Sequence, residues 1–224
     1  MNRQKKSNIF FFHSIILLAI LLIPAPAISG DNDLTFVSVL KFSAGIAGGA
    51  LIHEGSHALV AGVTGTHMTW EVGTYNQPIG FTENASSKAK GVTLYSAGFF
   101  SQALGAEIIL QSDKIDKNDA FVRGMMTWDL LNPILYSLDY WVFRVSNKRK
   151  GNKYQGDLEG TEHYSNKPTA DAFALSFSAI AAYQGYRFLK TQTWAPDWLK
   201  GETHQLGFQP LRSGGFILDY NYSF

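Results

Sequence analysis

Residues 51–60 read LIHEGSHALV and place His53, Glu54 and His57 in one apolar run. On a helix, side chains four residues apart share a face, so His53 and His57 can offer imidazole nitrogens to a single ion. Zinc accepts neutral imidazole, and its catalytic sites combine three protein ligands with a water in the fourth position. Glu54, next to a ligand, can take a proton from such a water, whose pKa zinc lowers toward ~7. With six His and seven Glu in the chain, chance yields one H-E-x-x-H about 0.5% of the time. The alternative is a helix that packs two hydrogen-bonded core histidines. That leaves Glu54 in apolar surroundings without a partner, a costly arrangement that a nearby cation relieves. The spacing predicts a Zn2+ site with His53 and His57 as ligands and Glu54 as general base.

The third ligand must come from elsewhere. The longer motif H-E-x-x-H-x-x-G-x-x-H requires a glycine and a histidine where this chain has Val60 and Val63, which excludes that class. His67 lies past a helix end expected at Gly62 to Gly65 and reads as a turn residue.

The motif falls in the first of four segments with the length of long helices: about 34–63, 91–110, 120–143 and 169–189. Each is near the ~20 residues that a bilayer demands, yet Lys41, Glu107, Arg123, Asp129 and Asp171 lie within or at the edges of them. A mean hydropathy of −0.05 keeps open a compact soluble bundle. The expected fold is mainly α, a polytopic membrane core of about four long helices. Ala44, Gly45, Ala47, Gly48, Gly49 and Ala50 suit close helix packing beside the motif. HMTWEVGTYNQPIGFTEN reads as a short β-hairpin turning at Asn76, Gln77 and Pro78, and TWAPDWLKGETHQLGFQP as a loop. The closing GGFILDYNYSF alternates strictly. It resembles the last strand of an outer-membrane barrel, but one strand cannot close a barrel, so a small extracytoplasmic hairpin is expected.

The N-terminus has a basic start, a short apolar middle and Ala25-Pro26-Ala27, the layout of a signal peptide or an uncleaved anchor over residues 1–29. Residues 30–190 then form the helical domain, and 191–224 a C-terminal loop and strand segment. Counting spans from a cytoplasmic start puts Lys88, Lys90 and the NKRKGNK run inside, and SDKIDKND outside, as the positive-inside rule requires. A formal net charge of +1 gives no reason to expect nucleic acid, and with no cysteine there are no thiolate ligands and no disulfides.

HEGSHALVAGVTG, in a helix rich in small residues, resembles the site-2-protease-type membrane zinc metallopeptidases. LYSAGFFSQALGAEIIL is similar to the second core helix of their bacterial branch, and NPILYSLDY to the segment carrying Asn, Pro and a Leu-Asp pair. The likeness spans Gly45 to Lys167. It implies a three-helix catalytic core in the bacterial inner membrane, zinc held by two His and a later Asp, and cleavage of membrane-linked protein substrates in the lipid bilayer. Two aspartates compete for the third position. Asp157 follows Gly156 and precedes Glu159, Glu162 and Pro168, as in the bacterial branch; its alternative is a helix N-cap. Asp139 fits the Leu-Asp pair, but Tyr140 stands where the family has Gly. Glu162 and His163 are further candidates, and Asp157 is the expected ligand. Asn132, before Pro133, either donates to an oxyanion or satisfies the turn that proline breaks. Asp129 is a functional candidate or a partner for Arg123. The competing functions are a catalytically silent relative and an exported structural protein of the periplasm or outer envelope.

Overall fold

The computed structural model describes residues 35–74, 77–144, 156–200, 204–210 and 216–222. The expected signal or anchor, the NKRKGNK run and Phe224 lie outside these residues. In chain order the elements are α1 (Phe36–Thr64), β1 (His67–Thr74), β2 (Gln77–Asn84), α2 (Lys88–Gln111), α3 (Ala120–Leu138), a π-helical segment (Asp139–Arg144), α4 (Asp157–Tyr164), α5 (Lys167–Lys190), α6 (Asp197–Lys200), β3 (His204–Pro210) and β4 (Phe216–Tyr222). The described residues are mainly helical, with two antiparallel strand pairs.

Local chemistry starts and stops these helices. Thr35, Ser87, Asp119 and Asn166 each accept a bond from a first-turn N–H, which satisfies donors that a helix start leaves open. Gly65, at φ 64°, closes α1 in the left-handed conformation, and its N–H reaches back to the carbonyls of Ala61 and Gly62.

Cross-helix contacts set the directions. Lys41 meets Asp119 at 3.1 Å, Gly45 meets Gly124, and Gly49 meets Trp128, so α1 and α3 run parallel. His53 against Gly98 and His57 against Leu94 make α2 antiparallel to α1. Gln184 donating to the Ala103 carbonyl, and Arg187 to Glu107, align α5 with α2. The result is a bundle of four long helices in alternating directions, with β1, β2 and α4 at the end where α1 finishes. On α1 the buried residues are Gly45, Gly49, His53, His57 and Ala61, one every fourth residue. A Cβ on Gly45 would strike the Phe121 carbonyl, and one on Gly124 the Phe42 carbonyl. Only glycine allows that backbone approach, which seats the histidines of α1 deep in the bundle.

Three expectations are corrected. The third segment is not one α-helix to residue 143: α3 stops at Leu138 and a wider turn follows. That turn lets two adjacent aromatics serve two helices, with Tyr140 donating to Glu162 of α4 and Trp141 to Asp171 of α5. Gln77 and Pro78 are strand residues, because Thr74 pairs with Gln77. Both strands of a two-stranded sheet are edges, where proline is tolerated. The segment read as a loop contains β3, which pairs with β4 and completes the hairpin expected for the final strand.

Among the described residues, α1 alone is both long and apolar enough to cross a membrane. Its outer face shows Leu51, Leu59 and Val63, exposed at 66%, 67% and 80%.

Replacing Gly124 by Val should force α1 from α3. A loss of about 1–3 kcal/mol is expected, read as a lower midpoint in thermal unfolding of the purified protein.

Candidate metal centre

His53 and His57 stand one turn apart on the inner face of α1, both fully buried. His57 Nδ1 lies 2.7 Å from the Leu94 carbonyl of α2. A carbonyl only accepts, so Nδ1 carries a proton and Nε2 is the nitrogen turned toward the bundle centre. The His53 ring lies over Gly98, where a Cβ would overlap it, and edge-on to Phe99 at 6.1 Å. In the Ser96-Ala97-Gly98 step the last residue thus acts sterically, because Gly98 makes room for a ligand.

The third donor comes from α4. Gly156, at φ 134°, makes a turn closed to residues with a side chain and delivers Asp157 as the first residue of the helix. Asp157 is therefore no N-cap, since Gly156 holds that position without any side-chain bond. It is buried, with Oδ2 3.0 Å from His53 Nε2 and Oδ1 3.5 Å from His57 Nε2. The two Nε2 atoms are 3.3 Å apart. Burial alone raises the Asp157 carboxyl; the His57 and His53 imidazoles outweigh it and hold the group well below the usual carboxylate range, in its ligand form.

The donor set fits a tetrahedral ion. Ligand atoms 2.0–2.1 Å from zinc lie about 3.3 Å from one another, close to the separations found here. Three buried ligand atoms that face one another leave a point that a cation would satisfy. His53, His57 and Asp157 can hold a metal ion, and no fourth His, Asp or Glu joins them among the described residues. Glu54, half-buried and one residue round the helix from His53, is near enough for His53, Asp157 and His57 to act on its charge.

The other candidates lie elsewhere. Asp139 opens the π-helical segment outside the cluster. Glu162 accepts from Tyr140, and His163 packs edge-on to Tyr164. His67 is exposed at the start of β1. Asn132 donates to Gln102 Oε1 at 3.2 Å, and Gln102 Nε2 points to the Trp128 carbonyl at 3.4 Å. So Gln102 of α2, and not Asn132, reaches toward the helix weakened by Pro133. Asp129 is buried against Gly105, on a different face of α3 from Arg123. Leu94 and Gly98 fall in the segment that resembles a second core helix, but nothing in that likeness assigns the Leu94 carbonyl to His57 or Gly98 to His53.

No family model, curated protein or solved structure matches this chain. Fold and site define an α-helical bundle with a buried two-histidine, one-aspartate cluster able to bind a metal ion.

Metal analysis of the purified protein checks the cluster. About one ion per chain is expected, lost in His57→Ala and Asp157→Ala and kept in Asp139→Ala.

Proposed function

We propose that the protein is a membrane zinc metallopeptidase that hydrolyses peptide bonds of membrane-linked protein substrates. One observation carries this reading: two imidazoles and a carboxylate converge in a buried site with Glu54 beside them. Neutral nitrogen with a single carboxylate oxygen suits zinc better than magnesium or calcium, which take oxygen ligands. Structural zinc sites are closed by four protein ligands, whereas three leave a position for chemistry.

Zinc held by His53, His57 and Asp157 would supply a Lewis acid and a water acidic enough to be deprotonated near neutral pH. Glu54 is the group placed to receive that proton and to return it to the leaving amine. The Leu94 carbonyl keeps His57 in the tautomer that binds through Nε2, and Gly98 with Phe99 orients His53. The surrounding helices exclude bulk water, which strengthens each of these interactions.

The polarity of the bundle supports a multi-pass location in the bacterial inner membrane. Apolar residues point outward on α2 as well as α1, with Phe100, Leu104 and Ile108 recurring every fourth position, and Leu175 does so on α5. Asp129 is buried, and the half-buried Glu107 and Arg187 pair with each other at 2.7 Å. A soluble bundle shows the reverse polarity. Lys88 and Lys90 sit at the end that carries the metal centre, which the positive-inside rule would place toward the cytoplasm.

Glu54→Gln should retain the metal and lose cleavage of a membrane-linked substrate by about 100-fold or more, measured by the appearance of the cut product. Metal retained together with undiminished cleavage would remove Glu54 from its role. Carbonate extraction of membranes should leave the protein in the pellet; release into the supernatant would refute integration.

A further inference from the structure

The eight-residue helix α4 holds Asp157 at its first position, yet much of what fixes its far end comes from β2. Tyr164, its last residue, donates to Glu83 Oε1 at 2.7 Å. Tyr95 of α2 donates to the same oxygen at 3.4 Å. The Ala85 N–H, at 2.6 Å from Oε2, fixes the carboxylate in place. The two phenol rings lie nearly parallel, 24° apart, with centroids 6.1 Å apart. Each is pressed on a glycine of the other's helix: a Cβ on Gly91 would overlap Tyr164, and one on Gly160 would overlap Tyr95. Glu83 thus joins β2, α2 and α4 at one carboxylate.

The same strand reaches the other side of the centre. Phe81, two residues before Glu83 and on the same strand face, lies 5.1 Å from the His57 ring and stacks on Tyr95 at 5.3 Å. Tyr95 directly follows Leu94, whose carbonyl orients His57. One face of β2 therefore contacts a histidine ligand through Phe81 and the aspartate-bearing helix through Glu83.

We infer that Glu83 is a positioning residue for the metal centre: through Tyr164 it clasps α4 so that Asp157 stays on the ion, and the β1–β2 hairpin thereby governs metal retention. The inference rests on the metal reading of the cluster and adds a control element remote from the ligands. Partners behind metal ligands typically change affinity by about 10–100-fold when removed. The clasp differs from a general fold contact because Tyr164→Phe acts on the helix that carries one ligand, Asp157, and touches neither α1 nor its histidines.

The test loads full-length protein with Co2+ or Zn2+ and follows metal transfer to a competing chromophoric chelator. It compares wild type, Glu83→Ala, Tyr164→Phe and the double variant. Tyr164→Phe removes only the hydroxyl and keeps the ring over Gly91, so it reports even where Glu83→Ala fails to fold. Each single variant should release metal about 10-fold faster, with a changed visible spectrum of the bound Co2+ and an unfolding midpoint of the metal-free protein like that of wild type. The double variant should release no faster than the faster single, since Tyr164→Phe removes a bond that Glu83→Ala already removes. Release from Tyr164→Phe at the wild-type rate, or effects that multiply in the double variant, would overturn the clasp while the metal site stands. A wild-type protein that binds neither ion would overturn the metal site itself, and the clasp with it.

Discussion

A carboxylate buried beside two imidazoles is the constraint on which the rest of this structure depends. Asp157 is taken out of water, and the cost is offset only if positive charge stands within a few ångströms of both its oxygens. The histidines sit on a helix that ends before Gly65, while Asp157 opens a helix of eight residues about a hundred positions later in the chain. Holding these groups 3.0–3.5 Å apart demands rigidity from every element between them. That demand explains why short-range contacts made by glycine recur around the centre.

Glycine acts here through absence of volume. Gly45 and Gly124 bring two parallel backbones together, and Gly98 leaves space for an imidazole. Gly91 and Gly160 receive the rings of Tyr164 and Tyr95. In an isolated helix each would weaken the structure by about 1 kcal/mol relative to alanine. Packed against a backbone or ring, the same residue is what permits contact, and a methyl group would separate the elements. The helices consequently depend on their neighbours more than on their own propensity.

Polarity is organised around the same centre. Glu107, Gln184 and Arg187 form one half-buried network, and Gln102 with Asn132 another, buried beside the Pro133 turn. Apolar side chains cover the outside of α1 and α2. Such an arrangement pairs polar groups of neighbouring helices with one another. Burial also gives the His53, His57 and Asp157 cluster a low-dielectric surround, in which charges act on each other more strongly than in water.

The sequence by itself determined what depends on neighbours along the chain. The spacing of His53 and His57 follows from helical period, and the starts of the four long helices, with the end of the first, follow from Thr35, Ser87, Asp119, Asn166 and Gly65 acting on adjacent backbone. Both hairpins were partly legible from alternation, although proline misplaced one turn and a run of Gly, Glu and Thr hid β3. Tertiary structure alone decided between Asp157 and Asp139. Both follow motif-like residues, and local sequence cannot say which of two distant carboxylates meets α1. That choice is made where Gly156 turns the chain inward and Leu158 enters the core with Phe99 and Tyr140. It likewise assigned Asn132 to Gln102, and joined Glu83 to Tyr164 across 81 positions. Contacts of that separation arise from packing of whole helices, for which periodicity and spacing carry no record.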